Sequence, residues 1–283
     1  MKSTHILSTM TVRSLFAVVG AALLVVQSHG LSVKSSADSR RAFLQQVSTA
    51  TVGAATGLTS MPTASLAVTG ERKVNAKLLG YGLPPVQNIP GLTPLCEIYG
   101  KGANRFPLLV TFQYPFDWVV VTPSNNANGE DGTIQAGEYA KGDTATLYVN
   151  QDMGNVKNVA EQDKEFFKNA VIKAISQKGD NVYQNFKVTG IEPTKGEYKG
   201  QDYVLVDFKY ELLTGAGFEV DRVGTASVTS EGDAVEVLWT AVTRQRYKKM
   251  ADTLRTIAKS FRCYADGINM SSELVDSSQY TKF

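Results

Sequence analysis

Val204, Val206, Phe208, Tyr210 and Leu212 alternate with Leu205, Asp207, Lys209 and Glu211. A period of two puts one set on each face of a β-strand, and a helix cannot segregate these residues in that way. Gly215-Ala216-Gly217 and Glu231-Gly232-Asp233 punctuate the chain downstream, giving three strands at roughly 202–213, 218–229 and 234–243. Strands joined by connections this short pair antiparallel, so the region predicts a meander.

Upstream, "RFPLLVTFQYPFDWVVV" reads as a strand, a break at Tyr114-Pro115 and a second short strand from Trp118, because proline cannot donate to a central ladder. The polar stretch "TPSNNANGEDG" is a loop, and "TIQAGEYA" and "TATLYVN" are two strands joined across Lys141-Gly142-Asp143. Over 161–178 the period changes: Phe167, Ala170, Val171, Ala174 and Ile175 share one helical face, with Glu161, Asp163 and Glu165 at the start and Gly179 as a stop. A second helix covers 244–260, with Tyr247, Met250, Leu254, Ile257, Ala258 and Phe261 on one face. Two helices among consecutive strands predict an α+β fold, an antiparallel β-sheet covered by helices, over an alternating parallel fold. Residues 68–105 have no sustained period and are punctuated by Gly80, Gly82, Pro84, Pro85, Pro90, Gly91 and Pro94, which predicts an extended arm.

The first 67 residues carry a different message. Lys2 and Arg13 precede the apolar run "LFAVVGAALLVV", whose 12 residues suit a secretory signal and fall short of the ~20 of a membrane span. A Ser-rich stretch at 31–38 could be a transit remnant. Ser39-Arg40-Arg41-Ala42-Phe43-Leu44 then matches the twin-arginine export pattern, and Ser65-Leu66-Ala67 supplies the small residues of a cut before Val68. The alternative is a chance arginine pair ahead of an Ala/Thr-rich linker. Two signals in series imply two or more membranes crossed, the situation of a thylakoid-lumen protein in a plastid wrapped in extra membranes. The organisation is therefore a targeting region at 1–67, an arm at 68–105, a domain at 106–264 and a tail at 265–283.

Removal of residues 1–67 takes 5 of 29 basic and 1 of 27 acidic residues, leaving 24 against 26, a net charge of −2 on 216 residues. That balance offers no field for nucleic acid. Both histidines, His5 and His29, are removed too. Without an imidazole there is no Ser-His-Asp or Cys-His constellation, no His-containing zinc site and no haem held by histidine. Glycine-rich phosphate cradles are absent, and the "NANGED" loop lacks the alternating layout and distal Glu of a calcium loop. No catalytic residue or cofactor site emerges, and the metal ligands are unknown. Asn269-Met270-Ser271 is a formal glycosylation sequon. Cys96 and Cys263 either bridge the arm to the end of the domain or remain two thiols; spacing does not decide.

The second helix concentrates positive charge: Arg244, Arg246, Lys248, Lys249, Arg255, Lys259 and Arg262 stand against the single acid Asp252. These residues suit docking on an acidic protein surface, or form an ordinary solvated helix face.

The motifs together resemble the PsbP family, the extrinsic and accessory proteins of the thylakoid lumen. The likeness rests on "FQYPFDWVVV" with Tyr114, Pro115 and Trp118, the central helix, the meander, "VEVLWTAV" around Trp239, and a final helix ending at Ser260-Phe261. It spans 106 to 264. The resemblance implies an α-β-α sandwich and a non-catalytic role, peripheral at the thylakoid membrane, docking on lumenal subunits of photosystem II or assisting its assembly. It also implies calcium or manganese retention at the oxygen-evolving site. Two departures are that some members hold metal through a histidine, and that the arm does not match the N-terminus of the green-plant subunit. The alternatives are a lumenal carrier of a small molecule or of calcium or manganese, and an accessory protein of photosystem I.

Overall fold

The computed structural model of the protein describes residues 67–100, 107–122, 134–153, 156–176, 182–196, 198–214 and 217–270. All belong to the unit Met61–Phe283. In chain order the described elements are β1 (Val68–Thr69), α1 (Glu71–Gly80), β2 (Leu92–Tyr99), β3 (Leu108–Pro115), β4 (Val119–Val121), β5 (Gln135–Glu138) and β6 (Asp143–Asn150). Next come α2 (Lys164–Ser176), β7 (Val182–Lys195), β8 (Asp202–Leu213), β9 (Glu219–Glu231), β10 (Ala234–Thr243), α3 (Arg244–Lys259) and β11 (Arg262–Tyr264).

The fold is mostly antiparallel, as the meander requires, but it holds two sheets where one was expected. Seven strands run in the order β4-β5-β6-β10-β9-β8-β7, and four run in the order β1-β2-β3-β11. Within the larger sheet β8, β9 and β10 are sequence neighbours in continuous register from Leu213↔Glu219 to Ala234↔Glu231. Trp118 N–H closes a turn onto the Pro115 carbonyl at 3.0 Å, so the chain leaves one sheet at Pro115 and enters the other at Val119.

The alternation partitions the core. Val204, Val206, Phe208 and Tyr210 of β8 pack with Val237 and Trp239 of β10 against Phe167, Ala170, Val171 and Ala174 of α2. From the opposite face of β10, Leu238 and Val242 join Leu254 and Ile257 of α3 and Leu108, Val110 and Phe112 of β3. The far face of the four-stranded sheet is closed by Val74 and Leu78 of α1 over Cys96, Ile98, Leu109 and Tyr264. Each fully buried side chain of this size contributes about 1.5–3 kcal/mol through removal from water.

The expected arm at 68–105 is therefore not extended over its described residues, 68–100. Val68 pairs with Cys96, Val74 and Leu78 are fully buried, and β2 runs in register with β3 from Leu92↔Pro115 to Tyr99↔Leu108. The first described element, β1, begins at Val68, well before 106. In the expected tail, Met270 is buried and joins the cluster under α1. The start of α2 is set by Asp163, whose carboxylate accepts the Phe166 N–H at 2.8 Å in a cap of the first turn. The targeting signals, the "NANGED" loop and residues 271–283 lie outside the described residues.

Candidate docking surface

Most of the positive charge on α3 is used inside the fold. Arg246 makes a two-pronged contact with the buried Asp143, Nε to Oδ1 at 2.9 Å and Nη2 to Oδ2 at 2.6 Å. Arg255 donates to both carboxylate oxygens of Asp207, at 3.1 and 2.9 Å, and pairs with Glu192 as well. Arg244 reaches Asp221 at 3.4 Å, with both side chains largely in solvent, and Lys259 lies 3.8 Å from Glu192. Arg262 donates to the carbonyls of Lys259 and Phe261 and sits over the Tyr203 ring, 5.2 Å from its centroid. Of the seven basic residues, Lys248 and Lys249 are exposed and hold no described partner. The sequence pattern could not show this, because the matching acids arrive from β6, β7, β8 and β9.

The pair of Arg246 and Asp143 is structural. Asp143 is 1 % exposed, and a carboxylate taken out of water keeps its charge at an acceptable cost only with good hydrogen-bond geometry. The neighbouring charge raises the Arg246 pKa, chiefly through that hydrogen bond. Removing the guanidinium would strand the carboxylate.

The family-motif residues are likewise packing residues. Tyr114, Trp118 and Phe261 belong to the cluster between the two sheets, and Trp239 belongs to the one under α2. Pro115 ends β3. The turn it opens throws Phe116 and Asp117 outward before Trp118 returns to the core.

Cys96 and Cys263 are not bridged. They face Thr111 and Val110, consecutive residues of β3, so their side chains leave opposite faces of the sheet. With β3 between them, two strand spacings of about 4.8 Å separate their backbones, whereas a disulfide needs Cα atoms within about 7 Å. Burial pushes the Cys263 thiol well above its ordinary range, and the Tyr203 phenol likewise. Neither is prepared as a nucleophile.

Around Cys263 lies a buried polar network. Tyr203 Oη donates to Gln201 Oε1 at 2.6 Å and accepts the Cys263 N–H at 3.3 Å. Gln201 Nε2 donates to Glu231, whose other oxygen accepts the N–H groups of Ala265 and Asp266 at 3.2 and 3.3 Å. Glu236, fully buried, accepts the Glu231 N–H at 3.0 Å, and burial holds its carboxyl protonated well above the usual carboxylate range. The network ties the segment after β11 to the β9–β10 turn. Among the described residues no group of three or more His, Cys, Asp or Glu side chains could hold a metal ion.

What the surface offers is an apolar ridge at the β4 edge. Phe116, Val119, Val121 and Tyr139 are 77, 58, 42 and 47 % exposed. Val120 turns inward to the core, so Val119 and Val121 share the outer face. Val119 is opposite Gly137, and the Tyr139 ring lies over that glycine, where a Cβ would meet its Cε1 at 3.2 Å. Val119, Val121 and Tyr139 thus lie on one side of an edge strand, with Phe116 exposed in the turn that leads into it, and apolar exposure at a sheet edge marks an interaction surface. The alternation in "FDWVVV" was the available signal, but it could not say which face α2 leaves bare.

No protein-family model matches this chain, and no curated protein matches it either. Among solved structures it is similar to the solution structure of cyanobacterial PsbP (CyanoP) from Synechocystis sp. PCC 6803, at 17 % identity and a TM-score of 0.40, covering 62 % of this chain and 95 % of that one.

Proposed function

We propose that this chain is a non-catalytic accessory protein of the thylakoid lumen that docks on lumenal subunits of photosystem II, as part of its oxygen-evolving periphery or during its assembly. The location rests on the two export signals in series, and the partner on the order of the family motifs from Tyr114 to Phe261. The observation that carries the docking role is the ridge of Phe116, Val119, Val121 and Tyr139, four large apolar side chains held in water on one sheet edge. The buried Tyr203 and Cys263, with phenol and thiol both held protonated, support a role without catalysis. No helix among the described residues is long and apolar enough to cross a membrane. Any effect on calcium or manganese retention is assigned to covering the partner's site.

Rebinding to photosystem II membranes stripped by a salt wash tests the proposal. The purified chain should rebind saturably, and Phe116→Ser with Val119→Thr should weaken rebinding about tenfold or more, the loss of a buried anchor of about 1.4 kcal/mol. Saturable rebinding that ignores both substitutions would remove the ridge from the interface. Binding to photosystem I membranes alone would reassign the partner. Lumenal delivery has its own test: Arg40→Lys with Arg41→Lys should strand a precursor outside the thylakoid, and normal delivery would sink the twin-arginine reading.

A further inference from the structure

The open face of β7, β8 and β9, beyond the N-terminal end of α3, holds a groove of about 450 Å³ lined by Asn185, Lys187, Lys209, Val223, Arg244 and Tyr247. Lys187 stands directly opposite Lys209. Like charges in that position repel, and their Cβ atoms are held about 5 Å apart. Neither lysine makes an ion pair with a described residue.

This placement depends on an irregularity in the backbone. Between Gln184↔Glu211 and Lys187↔Lys209, β7 spends one residue more than β8, and Asn185 within that bulge takes φ 54. A non-glycine residue in the left-handed region is uncommon and costs on the order of 1 kcal/mol, and such strain concentrates at binding sites. Without the extra residue, Lys187 would fall on the α2 face; with it, Phe186 stacks on Phe208 and Lys187 turns to the groove. Packing of Phe186 explains the bulge but not why the next residue is a second lysine. Glu211 and Asp221 line the same groove, but each already has a partner within it: Asn185 Nδ2 donates to Glu211 Oε2 at 2.7 Å, and Asp221 pairs with Arg244 at 3.4 Å.

We propose that this groove binds a phosphate group, free or as a monoester, with its oxygens bridging the ammonium groups of Lys187 and Lys209. A compact dianion matches two opposed cations, and lysine serves phosphate as a point charge. The half-buried Tyr247 ring and Val223 line the same groove and give an organic body something to lie against. Its volume falls within the about 300–1,000 Å³ of small-molecule sites. This site is separate from the β4 ridge and does not rest on the docking proposal.

Isothermal titration of the full chain with inorganic phosphate and with phenyl phosphate, at constant ionic strength, tests it. Saturable binding of either probe is expected, weakened about tenfold by Lys187→Gln and again by Lys209→Gln, with melting temperature unchanged. Lys248→Gln with Lys249→Gln should bind as the parent does. Tighter binding of phenyl phosphate would assign the site to a monoester, and equal or tighter binding of inorganic phosphate would assign it to free phosphate. Absence of saturable binding by both probes, equal binding by the Lys187→Gln/Lys209→Gln variant, or equal displacement by potassium chloride would overturn the proposal.

Discussion

The two sheets share an antiparallel architecture but differ in where their pairing comes from. In the seven-stranded sheet, β8, β9 and β10 meet their immediate sequence neighbours through short turns. In the four-stranded sheet β3 is joined on one side by β2 and on the other by β11, which follows it in the sequence by about 150 residues. Local pairing leaves a clean record in the sequence, because hydrophobic alternation and turn residues must agree over a few dozen positions. Distant pairing leaves almost none.

Particular elements show this. The meander, the break at Pro115, the strands around Gly142 and the helix starting at Arg244 are all legible in the sequence. β11 is not, since Arg262–Tyr264 becomes a strand only by lying against Leu109–Thr111. α1 is hidden because just two of its ten residues, Val74 and Leu78, are buried, and glycines and prolines surround it. β7 is hidden by its own bulges at Gln184/Lys187 and Val188/Gly190, which reset the period twice within one strand. The charged face of α3 is plain as a pattern, but its partners Asp143, Asp207 and Glu192 lie on strands that only the fold brings near.

The sharpest way to break the larger sheet is Gly224→Ala. A Cβ there would meet the Thr240 carbonyl oxygen at 1.9 Å and Phe208 Cζ at 2.8 Å, and the backbone contact cannot be relieved by a rotamer change. A loss of about 4 kcal/mol or more is expected in chemical denaturation, at the extreme of single substitutions. A shift below about 1 kcal/mol would mean that β9 and β10 separate readily.

The corresponding test of the smaller sheet is Leu78→Ala, which opens a hole between α1 and the fully buried Cys96 and Leu109. A loss of about 3 kcal/mol is expected, read as one cooperative transition because β3 serves both of its clusters. A separate early transition confined to the α1 side would show that residues 68–99 fold as an appendage.

The junction is probed by pH. Burial keeps Glu236 protonated in the folded protein at pH values where the unfolded chain has already released that proton. Its contribution is therefore present in acid and lost as pH rises above the ordinary carboxylate range, with a slope of at most about 1.4 kcal/mol per pH unit. Glu236→Gln should flatten this slope and leave the variant more stable than the parent at alkaline pH, as followed by urea denaturation across pH. An unchanged slope would place the titration elsewhere.

The smallest expected effect on stability, within about 0.5 kcal/mol, comes from Lys248→Glu with Lys249→Glu, since both side chains are exposed and without a described partner. If α3 contributes to docking through them, graded salt washing should release the variant at lower salt than the parent. Arg246→Ala, by contrast, should destabilise the fold by about 3 kcal/mol by stranding Asp143, which separates a docking charge from a structural one. Identical release curves for the lysine variant would leave the β4 ridge as the sole described docking element.

Co-migration tests the central claim most directly. Gently solubilised thylakoids from cells producing the chain would be separated by native electrophoresis and probed for it. The protein is expected in the photosystem II band at low salt, in the free fraction after high salt, and absent from that band as the Phe116→Ser/Val119→Thr variant. Free protein at every salt concentration, or co-migration with another complex alone, would contradict the proposal that this fold docks on photosystem II.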